Sequence, residues 1–457
     1  MGRRGRSRRS RSLVWICAAL AGLLAPAAAA LAHQRHGRIR HVVVVYQENH
    51  SFDNVLGRFC VRTGRCDGTR SAPLPGGSRI RLPTSPDVVP DVPHTGSAQE
   101  TAIDGGTMRG WTDIPGCRKG NDYRCLDQFA PRQIPNLTTL ARHFALSDRT
   151  FQMDSVSSWG AHLELVAATL DGFTGEQVPR DPGAGPDPRG WGCDSGLDTD
   201  WRSSRGTPVS RVPACVPDYN LNPNAYPYGG AYRPTPVKHV PTLMDELDRA
   251  GLSWKLYTAT GPGKSGYGLS ICPTFAGCIY TAQQRHQVGH RRVLRDARAG
   301  RLPNFSVVIP TWPMSQHNED SMVEGDNWIG KVVDAIEHGP GWRSTAILIS
   351  YDDCGCFYDH VPPPQGMGIR TPMVIASPWV KAHYTDSRPT PIASILAFTE
   401  RTFDLPALTG RDAAAYAYRR AFDFHQRPLA PAHMTKTRIP RAERDRIAHE
   451  SRPPGET

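Results

Sequence analysis

The sequence predicts an α/β fold with a mostly parallel central sheet flanked by helices and interrupted by loop-rich, disulfide-stapled insertions. Three observations predict it. The run His41-Val42-Val43-Val44-Val45-Tyr46 is β-branched and apolar, as in a strand buried on both faces. Strand-like and helix-like segments alternate along the second half of the chain. Cysteines occur in close pairs inside stretches rich in Gly, Pro and Asp.

The elements follow in order. After the strand at 41–46, residues 60 to 130 form a loop-rich excursion, and helical periodicity returns at Leu137 to Phe144 and at Ala161 to Thr169. Residues 180 to 236 are dominated by Pro, Gly, Asn, Tyr and Asp, the composition of an irregular insertion facing substrate as a lid or rim. Thr242 to Ala250 reads as a helix stopped by Gly251, and Trp254 to Tyr257 as a strand. A strand at Phe305 to Ile309, a helix at Trp328 to Ile336, strands at Thr345 to Tyr351 and Met373 to Ala376, and a helix at 392–403 complete the alternation. The organisation expected is a segment at 1–32, a catalytic domain at 38–426 and a charged, poorly ordered tail at 427–457.

Six arginines fall in the first eleven residues, followed by an apolar stretch from Leu13 to Ala32 that ends Ala30-Leu31-Ala32. This is the pattern of a cleaved signal peptide, and Ser7-Arg8-Arg9 hints at twin-arginine export. An uncleaved membrane anchor is the competing reading, disfavoured by the short, alanine-rich segment. The expectation is a secreted or cell-wall-associated protein. Loss of those six arginines lowers the formal charge from +11 to +5, so most of the basicity belongs to the leader. No basic stripe with interleaved aromatics remains, which speaks against nucleic-acid binding. Oligomeric state is not legible.

Cys17 lies in the leader, and ten cysteines remain in local pairs: Cys60/Cys66, Cys117/Cys125, Cys193/Cys215, Cys272/Cys278 and Cys354/Cys356. In an exported chain they read as disulfides. The last would close a tight ring, which makes it the least secure pair. A cysteine zinc site lacks its paired C-x-x-C knuckles.

Polar clusters sit where open α/β sheets place their sites, just past strand ends. Glu48-Asn49 follows the first strand, and Asp352-Asp353 follows the strand ending at Tyr351. Carboxylates converging there repel unless a cation lies among them, and all-oxygen donors suit a hard divalent ion. A helix cap or solvated turn is the plainer reading of either cluster alone. Asp154-Ser155-Val156-Ser157-Ser158 precedes an apolar helix, where a serine is either a nucleophile near amide donors or an N-cap. His94, His317 and His360 could stabilise phosphoryl oxygens or protonate a leaving group, or be ordinary surface histidines.

Glu48-Asn49-His50-Ser51-Phe52-Asp53 resembles the E-N-x-S-F-D signature of the bacterial phospholipase C and acid phosphatase family, a branch of the alkaline phosphatase superfamily. Asp352-Asp353-Cys354-Gly355-Cys356-Phe357-Tyr358-Asp359-His360-Val361-Pro362-Pro363-Pro364 is similar to that family's D-D-x-G-x-F-Y-D-H-V-P-P-P segment. Gly368-Ile369-Arg370-Thr371-Pro372 and Ser377-Pro378 resemble its closing strand region, and the likeness runs from about residue 40 to 412. It implies an alkaline-phosphatase-like fold and a phosphoric ester hydrolase. It implies one divalent ion on Glu48, Asn49, Asp352 and Asp353, and the oxygen-only donors put calcium first, with magnesium, manganese or zinc as alternatives. It implies Ser158 as nucleophile, forming a phosphoserine that water then hydrolyses, with His94, His317 and His360 around the phosphate. Trp159-Gly160-Ala161-His162 departs from the family's P-N-R or P-N-H stretch, so Ser155 and Ser157 stay open as alternatives.

The substrate implied is a phosphate ester, either a phospholipid diester at a membrane surface or a monoester. Tyr219, Tyr226, Tyr228 and Tyr232 could cage a cationic head group. A sulfatase would need a C-x-P-x-R segment, which is absent. A non-catalytic surface protein on the same fold would have no need of the acidic clusters.

Overall fold

Val42 to Tyr46 are fully buried, so the first strand has no solvent face. Each such side chain contributes roughly 1.5–3 kcal/mol by leaving water, and this run lies at the middle of the sheet. The computed structural model describes residues 2, 38–179, 190–204, 206–218 and 235–449. The expected leader apart from Gly2, Tyr219, Tyr226, Tyr228 and Tyr232, and residues 450–457 lie outside the described residues.

Eight strands make the main sheet: β1 (His41–Gln47), β2 (Ala145–Ser147), β3 (Trp254–Thr258), β4 (Gln287–Gly289), β5 (Phe305–Val308), β6 (Thr345–Tyr351), β7 (Met373–Ala376) and β8 (Thr385–Asp386). Their order is β4-β3-β5-β1-β6-β7-β2-β8. β7 alone runs against its neighbours β6 and β2, and the other pairings are parallel. The expected mostly parallel α/β sheet is therefore present. β1 lies between β5 and β6, in a register that pairs Val45 with Val308 and Gln47 with Tyr351. The carboxyl ends of three neighbouring strands thus meet along one edge.

The helices that bear on the site are α1 (Gly96–Ile103), α2 (Pro135–His143), α3 (Ser158–Ala167) and α4 (Met322–Glu337). α4 begins at Met322, six residues before the expected Trp328. Gly325, Asp326 and Asn327 weaken local helix propensity, but Ser321 caps the start by accepting from the Glu324 amide at 3.1 Å. Asp326 then accepts from the Asn136 and Leu137 amides at 2.9 and 2.8 Å, tying α4 to the start of α2.

Four of the five expected cysteine pairs are bridged: Cys60–Cys66, Cys117–Cys125, Cys193–Cys215 and Cys272–Cys278. Cys354 and Cys356 are instead buried thiols with sulfurs 3.8 Å apart. In the described part of the 180–236 insertion, Leu197–Trp201 pairs antiparallel with Ser210–Pro213, and Val178–Pro179 just before the insertion adds a third strand. The segment after Arg427 docks on the body further than its composition suggested. Ala432 donates its amide to Glu337, Thr435 to Asn136 and Thr437 to Asn327, and Ile439 is buried. No helix among the described residues is long and apolar enough to cross a membrane.

Candidate active site

Glu48 and Asp352 are the residues immediately after the paired positions Gln47 and Tyr351, so adjacent parallel strands deliver them side by side. The Glu48 amide donates to the Ser315 carbonyl, which ties the β1 end to the loop beyond β5. Asn49 turns the chain with φ 60°, and its amide donates to Asp352 Oδ1 at 2.8 Å. Gly355 lies so close that a Cβ there would stand 2.0 Å from the Asn49 carbonyl oxygen. With φ +53° as well, that position suits glycine, and the Gly355 amide donates to Asp353 Oδ1 at 2.6 Å.

Ser158 is the first residue of α3, fully buried, with its hydroxyl 3.2 Å from both Asn49 Oδ1 and Asp353 Oδ2. A hydroxyl has one proton, so it serves one of these acceptors at a time. The other two serines are placed differently. Ser157 occupies the N-cap position, yet its hydroxyl donates to the Gly175 carbonyl rather than capping the helix. Ser155 lines an open groove of about 1220 Å³ whose walls include Phe173, Trp201, Met367 and Arg411.

The charge balance is strained. Glu48, Asn49, Asp352 and Asp353 are all buried. Burial first, then the neighbouring charge of Asp352, holds both Glu48 and Asp353 well above the usual carboxylate range. Both Glu48 carboxylate oxygens and Asp352 Oδ2 have no hydrogen-bond donor. Carboxylates packed in this way need a proton or a cation between them. Glu48, Asp352 and His162 have ligand atoms within 4.8 Å of one another, a grouping able to hold a metal ion.

The family profile described as "Phosphoesterase family" matches residues 39–406, most of the chain, with Glu48, Asn49, Ser158, Asp352 and Asp353 inside the match. The chain belongs to the phosphoesterase family. It is a phosphoric ester hydrolase. The chain is 26% identical to non-specific phospholipase C1 of Arabidopsis thaliana over 87% of this chain and 73% of that one. It is 24% identical to the non-hemolytic phospholipase C of Pseudomonas aeruginosa over 81% of this chain and 55% of that one. With phospholipase C A of Mycobacterium tuberculosis it shares 22% identity over 85% and 78% of the two chains.

Two of the three expected histidines stand beside the Asn49 and Ser158 cluster. His94, just before α1, receives the Asn49 amide Nδ2 on its Nε2 at 3.2 Å, so its Nδ1 carries the proton given to the Val92 carbonyl. That contact also turns Asn49 Oδ1 toward Ser158. The His317 ring lies edge-on to His94 with centroids 5.6 Å apart, and its Nδ1 donates to the Asn318 carbonyl at 2.9 Å.

His360 does not join them. Its Nδ1 bonds Asp53 and its Nε2 lies 3.1 Å from Asp67, so both ring nitrogens face carboxylates. It belongs to a buried ion cluster with Asp53, Asp359 and Arg370. Arg370 donates its Nε to both Asp359 oxygens at 3.1 Å, reaches the Asp67 and Asp148 carbonyls, and lies 4.2 Å over the Phe52 ring. The chain turns after Asp359 and carries His360 toward this cluster. The cluster acts as a clamp joining the loops after β1 and β6 to the entry of β7.

Two residues that the structure places in this region drew no role from the sequence. Arg370 was quoted only as part of a motif, because a lone arginine gives no sign that it will be buried. His162 was read as a departure from a pattern, although its i, i+4 spacing from Ser158 puts both on one helix face.

Proposed function

We propose that this chain is an exported, metal-dependent phosphoesterase that cleaves phosphate esters, phospholipid head-group diesters among them, through a phosphoserine on Ser158. The observation that carries it is the buried Ser158 hydroxyl held between Asn49 and Asp353 at the carboxyl ends of β1 and β6. The donor set fits a divalent cation, since buried carboxylate oxygens lack donors at the point where Glu48, Asp352 and Asp353 converge. Bound there, such an ion would favour the deprotonated serine and offset charge developing on the phosphoryl group.

The chain's own groups supply the rest. Asp353, whose Oδ2 lies 3.2 Å from the hydroxyl, is placed to take the Ser158 proton. The serine oxygen then attacks phosphorus in line with the departing alcohol, whose bond to phosphorus breaks as the new one forms and whose oxygen takes a proton from water. Water hydrolyses the phosphoserine, releasing the phosphoryl group and regenerating the serine. Export draws support from the basic, then apolar, first 32 residues and from the four bridges.

The test is hydrolysis of p-nitrophenyl phosphate and p-nitrophenyl phosphorylcholine with and without chelator. Turnover that chelator abolishes and added divalent ion restores is expected, and the better substrate separates monoesterase from diesterase. Turnover indifferent to chelator would remove the metal from the mechanism. N-terminal sequencing of protein recovered from the medium should begin near residue 33; an intact Met1 there would remove the cleaved leader.

A further inference from the structure

His162 is fully buried on α3, one turn after Ser158. Its Nδ1 lies 2.8 Å from the Ser158 carbonyl oxygen, which has no proton to give. Nδ1 therefore carries the N–H, and in the neutral ring Nε2 is left with its lone pair. Nε2 has no hydrogen-bond partner and stands 3.4 Å from Glu48 Oε1, with Asp352 completing the group. Tyr46 and Trp191 pack edge-on against the ring with centroids at 5.0 and 5.2 Å, which fixes its plane. A lone pair aimed at two carboxylates is repulsive unless positive charge lies among them. A ring with one nitrogen on a backbone carbonyl and the other turned toward carboxylates has the tautomer and orientation of a metal-ligating histidine.

We propose that His162 Nε2 is a ligand of the metal centre, so that the donors are mixed nitrogen and oxygen. The proposal rests on the metal-dependent reading above and narrows it. An imidazole nitrogen discriminates against calcium and in favour of first-row transition ions such as zinc. The expectation of calcium assumed oxygen donors alone.

The experiment uses the full chain stripped of metal, with zinc and calcium affinities measured by competition against a chromophoric chelator. Wild type should bind zinc more tightly than calcium. H162Q should lose about 10–100-fold in zinc affinity while calcium affinity changes by less than about threefold. Zinc and calcium affinities that fall together, or neither falling, would overturn the proposal. X-ray absorption of the zinc-loaded wild type should show imidazole scattering, and its absence would overturn the proposal even if H162Q fails to fold. The variant D353N separates the two readings. Loss of metal in D353N but not in H162Q defeats only the role of His162, whereas a wild type that binds neither ion defeats the metal centre itself.

Discussion

Ser158 has two oxygen acceptors at 3.2 Å, whereas Ser157 has a backbone carbonyl and Ser155 an open groove. That difference predicts how the three behave when truncated. Ser158→Ala should lower turnover by roughly 10⁴-fold or more with an unchanged circular dichroism spectrum, as loss of a nucleophile does. Ser155→Ala should leave turnover near wild type, and Ser157→Ala should cost about 1 kcal/mol of stability through its bond to Gly175. A nearly active Ser158→Ala would move the nucleophile elsewhere.

His360 makes a separate prediction about pH. Burial would lower its pKa, but the hydrogen bond and charge of Asp53, then the charge of Asp359, outweigh burial and raise it above 6.5. A histidine with a raised folded pKa contributes stability in full below its unfolded value. That contribution is lost as pH rises through the folded value. Denaturation midpoints should therefore fall from about pH 6.5 upward, and His360→Gln should flatten that slope. An equal slope in the variant would assign the dependence to other groups.

At the scale of elements, the clamp is the feature with the largest expected effect. Arg370 is fully buried against Asp53 and Asp359 and holds together three loops that come from β1, β6 and β7. Arg370→Met would leave those carboxylates without their buried cation, a change that costs about 3–5 kcal/mol. Urea unfolding followed by fluorescence measures it, and a variant as stable as wild type would show that the clamp contributes little. The elements themselves were mostly legible, and the clamp was not. β1 and β6 show as β-branched or aliphatic runs because strands buried on both faces need them, and their register then follows from parallel pairing. The acidic residues past their ends were legible for the same reason. The choice of Ser158 was not, since it depends on where α3 starts, and helix starts are set by one turn of backbone. His360 stays with its sequence neighbour Asp359 in the clamp, while His162, four residues after Ser158 on α3, shares a helix face with it.

For the whole molecule, covalent links and compartment are tied together. The four bridges close short rings, spanning 6, 8, 22 and 6 residues, and a bridge of this kind stabilises by about 2–4 kcal/mol by constraining the unfolded chain. Cys354 and Cys356 lie beside Asp353 in the loop that delivers it, and there the backbone has positive φ at both Gly355 and Cys356. Protein lacking the first 32 residues and denatured without reductant should therefore titrate two thiols with Ellman's reagent, while reduced protein titrates ten. Reduction should lower the melting temperature by several degrees or more, and protein made in a reducing cytosol should resemble the reduced form. An unchanged melting curve would mean that the bridges do not contribute to stability. Zero thiols in the unreduced sample would mean that Cys354 and Cys356 pair after all, closing the 3.8 Å between their sulfurs.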